Sequence, residues 1–278
     1  DSYVIIFHTF EINWLTTSMT ITKYLFFFLQ ILSRYFLIAG VFFLPFYVIY
    51  KSKWSFKKIQ KIFPQAKDYR REILNSLFAI SLFALIPALF FKNQELRPYT
   101  QLYDEIAEKG WLYYFLVFPI MAFLHDTYFY WMHRLLHTKY FYKKLHLTHH
   151  VSTNPSPWTA YSFSLGEAIV EVGIFVIFIF LMPLHKTHLF LFFLFSFVYN
   201  VYGHLGWELY PKGFSKSWFG RWINTSVNHN MHHKYVKGNY SLYFLFWDRW
   251  MNTLREDYDA HYDEVKNRQA PLKADNKS

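Results

Sequence analysis

Eight of the fourteen histidines stand in three tight clusters. The first cluster has the spacing H-x-x-x-H, and the second and third have the spacing H-x-x-H-H: His133 and His137; His146, His149 and His150; His229, His232 and His233. Residues three or four positions apart share one face of a helix, so we expect each cluster to direct its imidazoles at a single spot. Imidazole is a good ligand for iron, zinc, copper and nickel. Eight ligands are more than one ion takes, so the clusters predict a site for two metal ions.

Chance and other chemistries explain the three clusters less well. A lone H-x-x-x-H is commonly a polar face at a membrane surface, but adjacent buried histidines all need hydrogen-bond partners, and three such clusters make coincidence a poor account. The sequence has no H-E-x-x-H motif, which disfavours a zinc hydrolase. It also has no cysteine, which excludes disulfides, thiolate nucleophiles and iron–sulfur ligation.

The elements that must position these histidines are long apolar helices. Of the 278 residues, 53% are hydrophobic, 24% are aromatic and only 17% are charged. The apolar residues form runs at 24–50, 73–91, 111–131, 166–184 and 188–203. A bilayer core about 30 Å thick needs about 20 helical residues. We therefore predict an all-α integral membrane protein with four or five transmembrane helices.

The net charge of +10 is divided unevenly among the segments between these runs. Segment 51–72 has eight Lys or Arg and two acids, whereas segment 92–110 has three basic residues and four acids. Segment 132–165 has four basic residues and no acid, and segment 204–240 has five basic residues and one acid. This alternation follows the positive-inside rule for five crossings. It offers no single basic face, and therefore disfavours nucleic acid as a partner.

The same rule gives each segment a side of the membrane. It predicts that 51–72, 132–165 and 204–278 lie in the cytoplasm, and that 92–110 and 185–187 lie outside. All three histidine clusters then meet on the cytoplasmic face. The expected architecture is a multi-pass bundle with a histidine-rich di-metal cap on its cytoplasmic side.

The clusters and their neighbours resemble the sterol desaturase and fatty acid hydroxylase superfamily of membrane di-iron oxygenases. The resemblance rests on the motifs around the clusters: Tyr130 to His137, Lys144 to His150, His229 to His233, Asn239-Tyr240 and Trp247-Asp248-Arg249. It implies two iron ions as cofactor, O₂ as co-substrate and a C–H bond of a membrane lipid as the target. It covers about residues 111–255.

This resemblance divides the chain into three parts. Residues 1–110 are expected to form an N-terminal peripheral segment and the first two transmembrane helices. Residues 111–255 are expected to form the catalytic domain, and residues 256–278 a polar C-terminal tail.

Further residues are candidates for the metal site. His204 resembles the extra histidine that precedes the third cluster in this superfamily, and is predicted as a ninth ligand. Four ionisable residues near the clusters are predicted to orient the ligand imidazoles by contacting the ring nitrogen that does not face the metal: His125, Asp126, Glu167 and Glu171. No catalytic residue beyond the metal site is predicted.

The sequence has no G-x-G-x-x-G fingerprint for a dinucleotide, so no cofactor-binding residue is predicted and electrons are expected from a separate electron-transfer protein. The leading hypothesis is an O₂-dependent oxidoreductase that acts on a membrane lipid, either like a sterol C-5 desaturase or like a fatty-acyl hydroxylase. The alternative is a histidine-rich metal-binding or transport protein. Transporters bind their cargo near the middle of the bilayer, whereas these clusters flank the spans, which disfavours transport.

Overall fold

A computed structural model describes residues 18–90 and 96–270 of the chain. Apart from one pair of two-residue strands, the regular structure of these residues is helical. The α-helices in chain order are α1 (Ser18–Phe43), α2 (Lys51–Trp54), α3 (Ala66–Phe90), α4 (Gly110–Leu136), α5 (Lys139–Phe141), α6 (Leu147–His150), α7 (Leu165–Leu181), α8 (Lys186–Gly203), α9 (Ser226–Tyr235), α10 (Phe246–Trp250) and α11 (Tyr258–Asn267).

Three helical stretches in the described part of the chain are long and apolar enough to cross a membrane. They are Ile21–Ile49, Ala66–Phe90 and Gly110–Leu136, with 29, 25 and 27 residues. The first is α1 continued by the π-helical turn Leu44–Ile49. Helices α7 and α8 have only 17 and 18 residues, so at 1.5 Å per residue each is about 26 Å long, less than a bilayer core.

The five long helices lie side by side with alternating direction. Helix α4 ends, α7 begins and α8 ends beside the histidine clusters, and we call this the histidine end of the bundle. At the opposite end, strand β1 (Leu102–Tyr103) pairs in parallel with strand β2 (Leu184–His185). The segment before α4 and the turn between α7 and α8 therefore share the end of the bundle that lies away from the histidines.

The N-terminal helices pack into the same core as the rest of the bundle. One cluster of buried side chains joins α1 and α3 to α8 and the segment before α7: Ile31, Tyr35, Ile80, Ala84, Ala160, Phe197 and Val201. A second cluster joins α4, α7 and α8 to Leu242 and Tyr243. Buried side chains from both sides of residue 110 thus pack together.

The C-terminal segment is more than a polar tail. Within the expected tail at 256–278, helix α11 buries Tyr258, Tyr262 and Val265 against Val227 and Met231 of α9. These three residues stand at positions i, i+4 and i+7, so they form one apolar stripe on an otherwise polar helix. The expectation of a tail missed this stripe. Residues 271–278 lie outside the described residues, as do residues 1–17.

Candidate metal centre

The nine predicted ligands lie together at the histidine end, in two groups. One group contains five histidines and the other contains four: His133, His137, His146, His150 and His232; His149, His204, His229 and His233. Within each group, the ring nitrogens that face inward all lie within 4.8 Å of one another. Eight of the nine side chains are buried, and that of His137 is half-buried.

Each H-x-x-H-H cluster divides its histidines between the two groups. His229 and His233 belong to the four-histidine group, whereas His232 belongs to the five-histidine group. The expectation that one cluster points at one spot was therefore too simple. At 3.6 residues per turn, positions i and i+4 are about 40° apart around the helix, and position i+3 lies about 60° to the other side. A single helix can thus serve two neighbouring groups.

The spacing of the inward nitrogens suits ligands that share an ion. In the four-histidine group, the Nε2 atom of His204 lies 3.0 Å from the Nε2 atoms of His229 and His233, and 3.3 Å from that of His149. In the five-histidine group, the Nε2 atoms of His133 and His146 are 3.1 Å apart. Nitrogens about 2.1 Å from a common ion lie about 3.0–3.4 Å apart in octahedral or tetrahedral geometry.

The outer ring nitrogens of most of these histidines face hydrogen-bond acceptors, and backbone carbonyls are the commonest. Nδ1 of His204 donates to the Asn200 carbonyl at 2.7 Å, and Nδ1 of His233 donates to the Ser152 carbonyl at 3.0 Å. Nδ1 of His133 donates to the carbonyl of Tyr240 at 2.8 Å. A carbonyl only accepts, so a neutral imidazole in this setting carries its proton on Nδ1 and leaves Nε2 bare.

Ring nitrogens without a proton repel one another when they face each other, unless a cation lies between them. The Nε2 atoms of His204 and His233 are 3.0 Å apart, and neither has a proton to donate to the other. Burial lowers the pKa of the histidines outside the spans below the ordinary value, and in most cases the neighbouring imidazoles lower it further. These histidines are His137, His146, His149, His150, His204, His229, His232 and His233. Protonation therefore does not relieve the repulsion between the bare nitrogens. The donor set of neutral imidazoles therefore fits transition-metal ions.

Glu167 is the one predicted orienting residue that contacts a ligand. Its carboxylate lies 2.6 Å from Nδ1 of His146, and both side chains are buried. Ser164 caps the N-terminus of α7 by accepting from the backbone N–H of Glu167, which fixes this residue in the first turn of α7. A carboxylate on the outer nitrogen fixes the tautomer of an imidazole and makes its inner nitrogen more basic.

Asp126 and His125 have other partners. One carboxylate oxygen of Asp126 accepts from the backbone N–H groups of residues 242–244, at 3.2, 2.6 and 3.3 Å. Nδ1 of His125 lies 2.9 Å from the hydroxyl of Tyr243. Both residues lie about two helical turns from His133 along α4, too far to hold its ring. Asp126 instead positions the segment that follows the third cluster.

That segment carries Tyr240, whose carbonyl accepts from His133, and a second buried acid holds it. The carboxylate of Asp248 accepts from the backbone N–H groups of Tyr240 and Ser241, at 2.9 Å each. Asp248 of the motif Trp247-Asp248-Arg249 thus acts through the backbone on His133, one of the predicted ligands.

Sequence reasoning missed the support that comes from α3. The carboxylate of Glu72 accepts from the hydroxyls of Ser152 and Ser156, at 2.8 and 2.5 Å. The carbonyl of Ser152 is the acceptor for His233. No motif surrounds Glu72, and the only available signal was an acid immediately before an apolar run.

A second missed contact involves the segment before α3. Nζ of Lys58 donates to the side chain of Asn154 at 2.9 Å, and the side chain of Gln60 donates to that of Asn230 at 3.0 Å. Burial lowers the pKa of Lys58 to about 7. These contacts tie the loop after the second cluster to the helix that carries the third.

An apolar cavity of about 690 Å³ lies inside the bundle. At the histidine end it is lined by Phe129, whose ring centroid is 4.9 Å from that of His133, and by Phe163, 5.2 Å from His149. At the opposite end Leu102 and Thr187 line it. Glu171, the fourth predicted orienting residue, faces this cavity and hydrogen-bonds to no ligand. A volume of 300–1,000 Å³ is typical of small-molecule sites.

Comparisons with known proteins agree with this geometry. The family model described as fatty acid hydroxylase matches residues 118–253, the stretch that carries all nine predicted ligands. The chain belongs to the sterol desaturase and fatty acid hydroxylase superfamily. No solved structure gives a significant match.

Sterol-oxidising members of this superfamily are among the similar proteins. A Delta(7)-sterol 5(6)-desaturase of Gibberella zeae is 32% identical over 187 residues, which is 67% of this chain and 56% of that protein. Human lathosterol oxidase is 30% identical over 182 residues, 65% of this chain and 59% of that one. A Delta(7)-sterol 5(6)-desaturase of Schizosaccharomyces pombe is 30% identical over 193 residues, which is 69% of this chain and 61% of that protein. The chain thus matches less than two thirds of the length of each.

Proposed function

We propose that this protein is an O₂-dependent di-iron oxidoreductase that acts on a membrane lipid, either as a sterol C-5 desaturase or as a lipid hydroxylase. The observation that carries the proposal is the apolar cavity whose lining residues Phe129 and Phe163 lie against His133 and His149, one histidine from each group. A lipid that fills this cavity would leave its own polar surroundings and bring one of its C–H bonds to the metal site. The sterol-oxidising relatives support the lipid class.

The nine histidines would hold two iron ions, five around one and four around the other. Bound iron supplies the O₂-dependent oxidation of an unactivated C–H bond, for which no side chain suffices. The protein's own part is to hold the rings and to exclude water. Glu167 and the carbonyls of Asn200, Ser152 and Tyr240 orient the imidazoles, and Phe129 and Phe163 keep the end of the cavity apolar.

A separate protein would deliver the electrons. Five exposed lysines lie close in the sequence to the half-buried His137 or to the end of α9: Lys139, Lys143, Lys144, Lys234 and Lys237. A basic surface of this kind favours docking of an acidic electron carrier, because complementary charge speeds the encounter.

The metal site would face the cytoplasm, and all five long helices would cross the membrane. The alternating helix directions and the basic segments at the histidine end support this orientation. Single cysteines test it, since the chain has none of its own. Lys139→Cys and Lys237→Cys should react with an impermeant label from the cytoplasmic side, and Glu105→Cys from the other. Labelling of positions 139 and 237 from opposite sides would contradict the arrangement.

The decisive assay identifies the product. Membranes with the protein receive isotopically labelled O₂, a reducing system and a total lipid extract. A lipid that has lost two hydrogens indicates desaturation, and a lipid that carries labelled oxygen indicates hydroxylation. Membranes with His232→Ala are the control and should give neither. Metal-dependent hydrolysis without O₂ consumption would overturn the proposal, and ion uptake into vesicles without lipid oxidation would favour metal transport.

A further inference from the structure

A short turn before α9 presents two aromatic side chains to the outside of the protein. Trp218 and Phe219 are 87% and 60% exposed. The backbone holds this turn tightly: the N–H of Trp222 donates to the carbonyl of Phe219 at 3.0 Å, and a Cβ atom at Gly220 would collide with the carbonyl of Phe214. Exposed tryptophan is typical of the boundary between a membrane and water.

Two arginines lie over the ring of the next tryptophan, Trp222. The guanidinium of Arg221 is 5.2 Å from the centroid of this ring, and the guanidinium of Arg249 is 5.8 Å from the same centroid. Nε of Arg249 also donates to the carbonyl of Arg221 at 2.8 Å, which holds the two residues together. In the part of the chain that the structure describes, neither arginine forms an ion pair, whereas Lys216 of the same segment pairs with Asp263. Two neighbouring cations without a countercharge favour an anionic partner.

The turn and α10 belong to one surface. The backbone N–H of Leu245, the residue before α10, donates to the carbonyl of Trp222 at 2.8 Å. Trp250, the last residue of α10, is 57% exposed. We call this surface the aromatic–arginine face, and its residues are Trp218, Phe219, Arg221, Trp222, Arg249 and Trp250.

The aromatic–arginine face lies beside a helix that can cross the membrane. The indole N–H of Trp247 donates to the hydroxyl of Thr127 at 3.0 Å, and the rings of Phe246 and Phe123 stack with their centroids 5.5 Å apart. Thr127 and Phe123 stand six and ten residues before His133, about 9 and 15 Å along α4. Helix α4 is long and apolar enough to span a bilayer, so α10 lies against its membrane-spanning part, on the side of the histidine end.

We propose that the aromatic–arginine face binds anionic phospholipids in the leaflet nearest to the histidine end. Trp218 and Phe219 would enter the boundary between headgroups and acyl chains, which aromatic rings favour. The guanidinium groups of Arg221 and Arg249 would meet headgroup phosphates, whose oxygens match the donors of arginine. A soluble acidic protein would suit the two charges, but not a surface that continues onto the lipid-facing side of α4. The proposal does not depend on which reaction the metal site catalyses.

The lipid preference of the purified protein tests the arginines. Native mass spectrometry in a neutral detergent compares how much phosphatidylserine and phosphatidylcholine stay bound. We expect the wild type to prefer phosphatidylserine and Arg221→Gln to lose about fivefold of this preference, since each basic residue at a membrane surface contributes about that factor. Arg221→Lys keeps the charge and should keep most of the preference. Arg70→Gln, the same change of charge at an exposed position of α3, is the matched control and should behave like the wild type.

A spin label tests the turn, and the chain has no cysteine of its own to interfere. Trp218→Cys is labelled and placed in nanodiscs that contain both lipids. We expect the label to collide more with O₂, which concentrates in lipid, than with a water-soluble nickel chelate. A label on Lys237→Cys, an exposed position just after α9, is the control and should show the opposite order.

Four outcomes would overturn the inference. The first is a wild type without a preference for phosphatidylserine, and the second is an undiminished preference in Arg221→Gln. The third is a label at position 218 that the nickel chelate reaches as freely as the label at position 237. The fourth is protection of position 218 from both reagents, because this would indicate a protein partner or a second copy of the chain on this face.

Discussion

Residues 18–90 and the histidine-bearing segment 118–253 contribute to the metal centre in different ways. The second segment supplies every proposed ligand, in clusters that are visible in the sequence. The first supplies no proposed ligand, yet Glu72 hydrogen-bonds to the loop after the second cluster, and Gln60 hydrogen-bonds to the helix that carries the third. The comparison teaches that part of the support for the proposed ligands comes from a segment that supplies none of them.

The physical basis of this division is that the two roles restrict the residue type to different degrees. A metal ligand must be one of a few residue types at a fixed spacing, whereas a supporting contact needs only a polar group in the right place. Glu72 holds the hydroxyl of Ser152, and the carbonyl of Ser152 holds His233. The support thus passes through two unremarkable residues before it reaches a ligand.

The largest effect should come from the ligands themselves. His149→Ala removes a ligand from the four-histidine group, and His232→Ala removes one from the five-histidine group. Each variant should lose turnover, while the apolar helices keep it folded and inserted in the membrane. His261→Gln, on α11 and outside both groups, is the matched control and should be nearly silent. Full activity in either ligand variant would remove that residue from the site.

A smaller loss should follow from the carboxylate that orients a ligand. Glu167→Leu leaves Nδ1 of His146 without its acceptor, so metal affinity should fall about 10- to 100-fold. Competition with a chelator measures this affinity. Glu171→Leu, one turn along the same helix, contacts no histidine ring and should leave metal affinity unchanged. Equal losses in the two variants would indicate a general effect on α7.

The next effect tests the support from the N-terminal helices. Glu72→Leu removes the acceptor of two buried hydroxyls, which costs about 1–3 kcal/mol for each group left unsatisfied. We expect a lower melting temperature and earlier loss of metal to a chelator. Glu72→Gln should have a higher melting temperature than Glu72→Leu and should hold the metal longer. Arg70→Gln serves as the surface control. A wild-type melting temperature in Glu72→Leu would show that α3 gives no support.

The smallest effect concerns Lys58 and pH. Burial lowers its pKa from 10.5 to about 7 in the folded protein, so between these values the unfolded chain holds a proton that the folded chain has lost. Stability contributed by this residue should therefore rise with pH across that range. The melting temperature of the wild type should therefore increase relative to that of Lys58→Met as the pH is raised from 7. Parallel curves for the two proteins would contradict this assignment.

The sequence allowed some of these features to be predicted and hid others. The histidine spacing predicted that the clustered rings come close together, because helical periodicity brings positions i, i+3 and i+4 near one face, but it did not predict that His149 and His232 join the opposite group from their neighbours. Glu167 was among the predicted orienting residues and contacts His146. Asp126 was too, yet it holds backbone N–H groups of residues 242–244, since an acid within a span reveals its need for a partner but not which partner.

The count of spans shows the same limit. Hydropathy located five apolar runs, and five long helices lie at or near them, but within residues 18–90 and 96–270 only three helical stretches are long and apolar enough to cross a membrane by themselves. Helices α7 and α8 pack against residues that are distant in the sequence, among them Leu242 and Tyr243, and sequence periodicity does not show such neighbours.

The metal content of the purified protein, measured together with its Mössbauer spectrum, tests the central claim most directly. Nine inward-facing imidazoles in two adjacent groups should hold two ions per chain, and the spectrum should show a pair of magnetically coupled irons. His149→Ala and His232→Ala should each lower the content. A single tightly bound ion in fully active protein, or two ions that are not iron, would contradict the account.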